Sequence, residues 1–265
     1  MIGIVQGRLT FSGKKLQSFP KDPYNEFGIA SKLKYDFIEF FAERNYNKKN
    51  PIWTDEGINR YIFLSKKKNL KLYSLCDDFI INNSLNSKKT LKYIFKILER
   101  LKLLKVKNYI IPMYGKSRYF PKKITTTAKS LKAISNKCIK MKINLLIESN
   151  MLPKDFKELK TKVNSKNLFF LFDTGNRSIL KRNLIEDLIQ FGSNIKHIHL
   201  KDKNINKENV LIGKGLVDFN LIFSNLKKIK YKGSFAIESK RGKNIFKQAK
   251  KNYMFFKKLT LKHKI

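Results

Sequence analysis

One pattern constrains this chain more than any other: short β-branched and aromatic runs alternate with longer amphipathic stretches, eight times over. The runs fall at Ile2 to Gln6, Phe37 to Phe41, Leu72 to Leu75, Tyr109 to Pro112, Ile143 to Glu148, Leu168 to Phe172, Ile195 to Leu200 and Ser234 to Glu238. Each is short and largely apolar, as expected of strands covered on both faces. Between them apolar residues recur three or four apart, as in Leu91, Ile94, Phe95, Leu98 and Leu101, or Leu131, Ile134, Cys138 and Met141, which predicts helices. Further helices are expected over 24–34, 55–69, 154–163, 183–191, 219–229 and 246–260. Strict alternation predicts a parallel sheet with helical crossovers, and 265 residues suit one closed (β/α)8 barrel spanning 1–265. An open doubly wound sheet is the alternative α/β reading. Its usual glycine-rich first turn is not formed by Gly3 and Gly7.

Composition narrows the class. The apolar fraction of 42% is that of a globular chain, which argues against disorder. Cys76 and Cys138 are too few and too isolated for a disulfide framework or a thiolate zinc site. Neither a signal peptide nor an apolar run of the ~20 residues that span a bilayer is evident, so a cytoplasmic protein without a membrane partner is expected. The charge is unusual: 58 Lys and Arg against 20 Asp and Glu give +38. Such basicity is the common footprint of a nucleic-acid binder, yet only eight of these cations are Arg, the residue best suited to bidentate phosphate and base contacts. The lysines are spread over every segment. They read as a solvated surface that draws in anions and binds polyanions without sequence specificity.

In a barrel of this kind chemistry gathers where strands end. Four consecutive predicted strands end on polar residues: Glu148, Asp173, His199 and Glu238. Singly, each has a plain structural reading, such as pairing with lysine or closing a turn at Asp173-Thr174-Gly175-Asn176. Together they form an oxygen-rich set with one nitrogen, which suits Mn²⁺, Mg²⁺, Co²⁺ or Zn²⁺. His197 lies two residues before His199 and hence on the same face, one layer deeper, where a hydrogen-bonded core histidine is expected. Arg8, Lys201 and Arg241 follow strands one, seven and eight; they read first as solvated cations and second as contacts to a phosphate or hydroxyl. Glu39 closes strand two and is expected to orient a substrate hydroxyl or pair with a lysine. Asp77 and Asp78 are expected to support the third loop or cap its helix.

These residues resemble the xylose isomerase-like TIM-barrel superfamily, particularly its sugar-phosphate isomerase/epimerase and ketose 3-epimerase branch. The likeness runs from Gly3-Ile4-Val5-Gln6-Gly7-Arg8-Leu9 through Phe37-Ile38-Glu39 and Ser74-Leu75-Cys76-Asp77-Asp78 to the four strand ends. His199-Leu200-Lys201-Asp202 followed by Gly213-Lys214-Gly215 also resembles the family's seventh loop. The resemblance implies one divalent metal on Glu148, Asp173, His199 and Glu238, with Glu148 and Glu238 also acting as acid and base on opposite faces of the substrate. It implies a cytoplasmic isomerase of carbohydrate metabolism acting on a ketose or ketose phosphate. Arg8, Glu39, Asn176 and Lys201 are the candidate substrate contacts. The chain departs from the free-sugar 3-epimerases in two places: Asn176 stands where they carry His, and Ile205 where they tend to carry Arg. Two carboxylates flanking a substrate favour 3-epimerisation through an enediolate over aldose–ketose isomerisation, which needs only one face. An apurinic endonuclease of the same superfamily and a noncatalytic sugar-binding barrel are the alternatives. The first needs a trinuclear cluster with several histidines on different strands, and the chain has only His197, His199 and His263. Monomer and homo-oligomer both stay open.

Overall fold

In the computed structural model, which describes residues 1–11, 13 and 16–265, the strands are β1 (Ile2–Val5), β2 (Phe37–Ala42), β3 (Lys71–Asp77), β4 (Asn108–Pro112), β5 (Asn144–Glu148), β6 (Leu168–Asp173), β7 (Ile195–Leu200) and β8 (Ser234–Ile237). They form a closed barrel in sequence order. The helices are α1 (Asn25–Lys32), α2 (Asp55–Lys68), α3 (Phe79–Asn82), α4 (Lys88–Leu103), α5 (Ile124–Lys140), α6 (Pro153–Val163), α7 (Thr174–Ser178), α8 (Leu184–Phe191), α9 (Phe219–Lys228) and α10 (Ile245–His263). The expected (β/α)8 TIM barrel is therefore the fold, and the open sheet is excluded. Two short helices, α3 and α7, carry no signal in the sequence, because four or five residues are too few to show a helical period.

The chain packs as two compact units. The first comprises 1–39, 68–71 and 170–265. Within it β1 pairs in parallel with β2 and β8, and β7 with β6 and β8. Gly3 belongs to this contact layer: a Cβ there would fall 2.3 Å from the Phe37 ring, so only glycine lets the ring lie against β1. The β6–β7 pair shifts register between Phe170 and Leu171, and beyond the shift Asp173 lies opposite His199. Glu238 follows directly on β8, its N–H bonding the Leu200 carbonyl at 3.1 Å.

The second unit comprises 40–67 and 72–169. Here β4 pairs with β3 and β5, with Asn108 opposite both Ser74 and Asn144. The Asn144 amide donates to Asn108 Oδ1 at 2.9 Å, linking the two side chains across the sheet. On α4, Ser87 caps the N-terminus by accepting from Thr90 N, and Ile94, Ile97, Leu98 and Leu101 form the buried stripe. Each such side chain contributes roughly 1.5–3 kcal/mol by leaving water.

Several helices in both units end on a residue of positive φ, the conformation that favours glycine. Lysine or asparagine fills these positions: Lys34, Asn69, Lys105, Lys142, Asn164, Lys230 and Lys264. The compositional bias toward Lys and Asn thus reaches even the helix caps.

Candidate active site

The cluster in the first unit is organised around Glu39. This fully buried carboxylate on β2 accepts from His197 Nε2 at 2.9 Å on one oxygen and from His199 Nε2 at 2.7 Å on the other. Glu39 therefore holds two imidazoles. Burial alone would raise its pKa, but the two imidazoles reverse this and hold it below the ordinary carboxylate range. His197 also bonds Ser234 Oγ at 2.7 Å through Nδ1, which makes it the core histidine its position suggested. Desolvation lowers its pKa, against the pull of Glu39.

With Nε2 anchored, His199 turns Nδ1 toward the strand ends. Nδ1 lies 3.2 Å from Glu238 Oε2 and 3.9 Å from Asp173 Oδ2. Burial opposes charge on this imidazole, yet Glu39 and Glu238 outweigh it and raise its pKa well above the usual value. Asp173 has two duties: Oδ1 caps α7 by accepting from Asn176 N at 2.7 Å, and Oδ2 faces His199. The motif is thus the start of α7 and not a turn closed by Asn, and the same Asp173 that caps it also faces His199.

Arg8 and Lys201 are buried, not solvated. Lys201 Nζ sits 2.7 Å from Glu238 Oε2 and 3.0 Å from Asp173 Oδ2. Its backbone is fixed by Thr174 Oγ1, which donates to the Lys201 carbonyl at 2.6 Å and lies 3.0 Å from its N–H. Gly175 leaves room for the stem, since a Cβ there would come within 2.8 Å of Lys201 Cγ. Arg8 reaches Glu238 Oε1 at 3.3 Å and also donates to the Leu16 carbonyl. Gln17 Nε2 donates to the same Glu238 oxygen at 2.6 Å. Sequence reasoning missed Gln17, which lies in an irregular segment with no period to mark it. Burial would raise the Glu238 pKa, but Lys201, His199 and Arg8 together hold it well below the carboxylate range. Arg241 is half-buried, its guanidinium donating to the Gly7, Gly13 and Leu16 carbonyls.

In the second unit Glu148 ends β5, buried, and accepts from Tyr114 Oη at 3.0 Å. Tyr114 is a further polar neighbour that no sequence pattern announced. Asp77 accepts from Tyr109 Oη at 2.6 Å, Phe79 N at 3.2 Å and Tyr93 Oη at 3.3 Å. It supports the third loop as expected, while Asp78 makes no side-chain cap to α3.

The first unit's donor set fits a divalent cation. His199 Nδ1 lies near both Glu238 Oε2 and Asp173 Oδ2. His199 and Asp173 belong to a buried carboxylate–imidazole group able to hold a metal ion, and Glu39 stands behind the imidazole as carboxylates do that orient metal-ligating histidines. Ligands about 2.1 Å from one ion at 90–109° stand roughly 3.0–3.4 Å apart. The 3.2 Å pair matches that spacing, and the 3.9 Å pair needs only a small inward shift. The ammonium of Lys201 pairs with the same two carboxylates.

Fold and site define a class of protein. Residues 27–259 match the family model described as "Xylose isomerase-like TIM barrel", and the chain belongs to that family. Among solved structures, D-psicose 3-epimerase from Clostridium cellulolyticum H10, crystallised with D-tagatose, superposes with a TM-score of 0.77 at 16% identity, covering 97% of this chain and 98% of that one. An L-ribulose 3-epimerase gives 0.80 at 14% identity over 99% and 95%. A 3-keto-D-glucoside 4-epimerase from E. coli gives 0.71 at 16% identity over 96% and 97%. No curated protein sequence matches the chain.

Proposed function

We propose that the chain is a metal-dependent carbohydrate epimerase that inverts C3 of a ketose. The observation that carries this reading is the buried convergence of His199 Nδ1 on Glu238 and Asp173, with Glu39 fixing the ring from behind. Glu148, Asp173, His199 and Glu238 are the proposed ligands of one Mn²⁺, Mg²⁺, Co²⁺ or Zn²⁺ ion. Bound there, the ion supplies positive charge to the ketose carbonyl oxygen.

The chain's own groups move the proton. A carboxylate is a weak base toward a carbon acid, so its contribution depends on positioning at the C3 hydrogen. Glu238 is positioned by Arg8, Gln17 and Lys201. Glu148 is positioned by Tyr114. One glutamate removes the proton from one face of C3, and the other returns a proton to the opposite face. The direction of reaction decides which acts first. Asn176 is the proposed contact to a substrate hydroxyl, its backbone fixed against Asp173.

The endonuclease alternative loses ground on the histidines. His197 is committed to Glu39 and Ser234, and His263 near the end of α10 lies 3.2 Å from Asn220 Oδ1. The test is turnover of a ketose panel by protein loaded with each metal. Epimer should form only with metal, and Glu148→Gln and Glu238→Gln should each lose at least about 10²-fold at equal metal content. Metal-dependent incision of abasic DNA without action on any ketose would overturn the proposal.

A further inference from the structure

Beside the carboxylate cluster, a cavity of about 730 Å³ opens between the segments that follow β1, β7 and β8. Among the described residues its lining carries four cations, Lys214, Lys240, Arg241 and Lys243, and no carboxylate. Leu16 and Leu211 add apolar surface. The Arg241 guanidinium shapes the wall by tying down the carbonyls of Gly7, Gly13 and Leu16. On the β7 side, the loop that carries Lys214 is anchored by Asp202, whose carboxylate accepts from the N–H groups of Gly213, Gly215 and Val217 at 2.9, 3.0 and 3.2 Å. The lysines therefore stand on a held framework.

The cavity is continuous in the chain with the site. Leu16 precedes Gln17, which bonds Glu238, and Arg8 joins the Leu16 carbonyl to the same glutamate. Glu238 and Arg241 are three residues apart, at most about 11 Å even in extended chain. One phosphorylated sugar can bridge that gap, with its keto end at the carboxylates and its phosphate among the lysines. The volume lies in the usual range for small-molecule pockets, and barrels of this type often hold phosphates on the segments after strands seven and eight. Arg8 and Lys201 are committed to carboxylates, so among the described residues the lysines of the cavity are placed to meet a substrate anion.

We propose that this cavity binds the phosphate of a phosphorylated ketose, so that the substrate class is the sugar phosphate and not the free sugar. The inference rests on the epimerase reading for its keto end, while the anion site can be measured alone. Binding of inorganic phosphate, D-fructose 6-phosphate and D-fructose to the full chain is followed by calorimetry at fixed ionic strength. The triple variant Lys214→Gln, Lys240→Gln, Lys243→Gln is compared with a control of equal charge change, Lys66→Gln, Lys102→Gln, Lys228→Gln. Expected are one saturable phosphate site, at least tenfold weaker in the cavity triple and changed less than twofold in the control. D-Fructose 6-phosphate should bind at least tenfold more tightly than D-fructose, and the cavity triple should abolish that advantage. Equal weakening in both triples would mean diffuse surface charge and overturn the proposal. D-Fructose binding as tightly as its phosphate would overturn it too, while leaving epimerisation of a free ketose intact. Phosphate binding as expected without turnover of any ketose would support the cavity assignment and count against the epimerase reading alone.

Discussion

At the residue scale the decisive feature is a carboxylate that touches neither solvent nor, on this account, substrate. Glu39 binds both histidines, so Glu39→Gln replaces a charged acceptor by an amide that can serve only one ring well. Metal affinity should fall about 10- to 100-fold, read by calorimetry, with the barrel's circular dichroism unchanged. His199→Ala should lower affinity further, and unchanged metal binding in that variant would remove the ligand assignment. Lys201→Met gives the opposite sign. The ammonium lies between Asp173 and Glu238, so removing it leaves two buried carboxylates facing each other; metal-free protein should melt at lower temperature while metal binds more tightly. The four strand-end residues were legible in the sequence because polar residues abruptly close apolar runs. The roles of Glu39 and Lys201 were not, because pairing of Glu39 on β2 with the β7 histidines, and of Lys201 with Asp173 and Glu238, depends on how the strands assemble, which no local spacing encodes.

At the element scale periodicity located all eight strands and the eight longer helices, with boundaries shifted by a few residues. It missed α3 and α7, and α7 matters because its cap is Asp173 itself. The lysines of positive φ after the helices give a test that needs no knowledge of function. Lys105 and Lys142 are exposed, at φ 54 and 58. A left-handed conformation costs a non-glycine residue roughly 1–2 kcal/mol, partly offset by the greater freedom glycine loses on folding. Lys105→Gly and Lys142→Gly should therefore each stabilise by about 0.5–1 kcal/mol in urea titrations, whereas glycine in mid-helix would destabilise. Asp77, at the end of β3, supplies a pH dependence. Burial raises its pKa to about 7, against the hydrogen bonds from Tyr109, Phe79 and Tyr93. Between roughly pH 4 and 7 the unfolded chain has lost this proton and the folded chain keeps it, so its contribution is full below pH 4 and declines up to pH 7. The stability difference between wild type and Asp77→Asn should shift in the variant's favour across that window and level off above it.

At the scale of the whole molecule, two properties act together: a barrel that gathers carboxylates, and a surface of charge +38 that attracts anions. None of the described helices is long and apolar enough to cross a membrane. Association with nucleic acid should be indifferent to sequence and fall steeply between 50 and 200 mM salt as counterion release predicts; binding that keeps its strength at high salt would point to a dedicated nucleic-acid face. The carbon at which the proton moves separates an epimerase from an isomerase, and isotope exchange with solvent reads it. Metal-loaded protein is incubated in D₂O with ketoses and ketose phosphates, and the position of deuterium is read by NMR. Deuterium at C3 of a new ketose epimer is the predicted result; deuterium confined to C1 or C2, with an aldose as product, would contradict the account and make the protein an aldose–ketose isomerase.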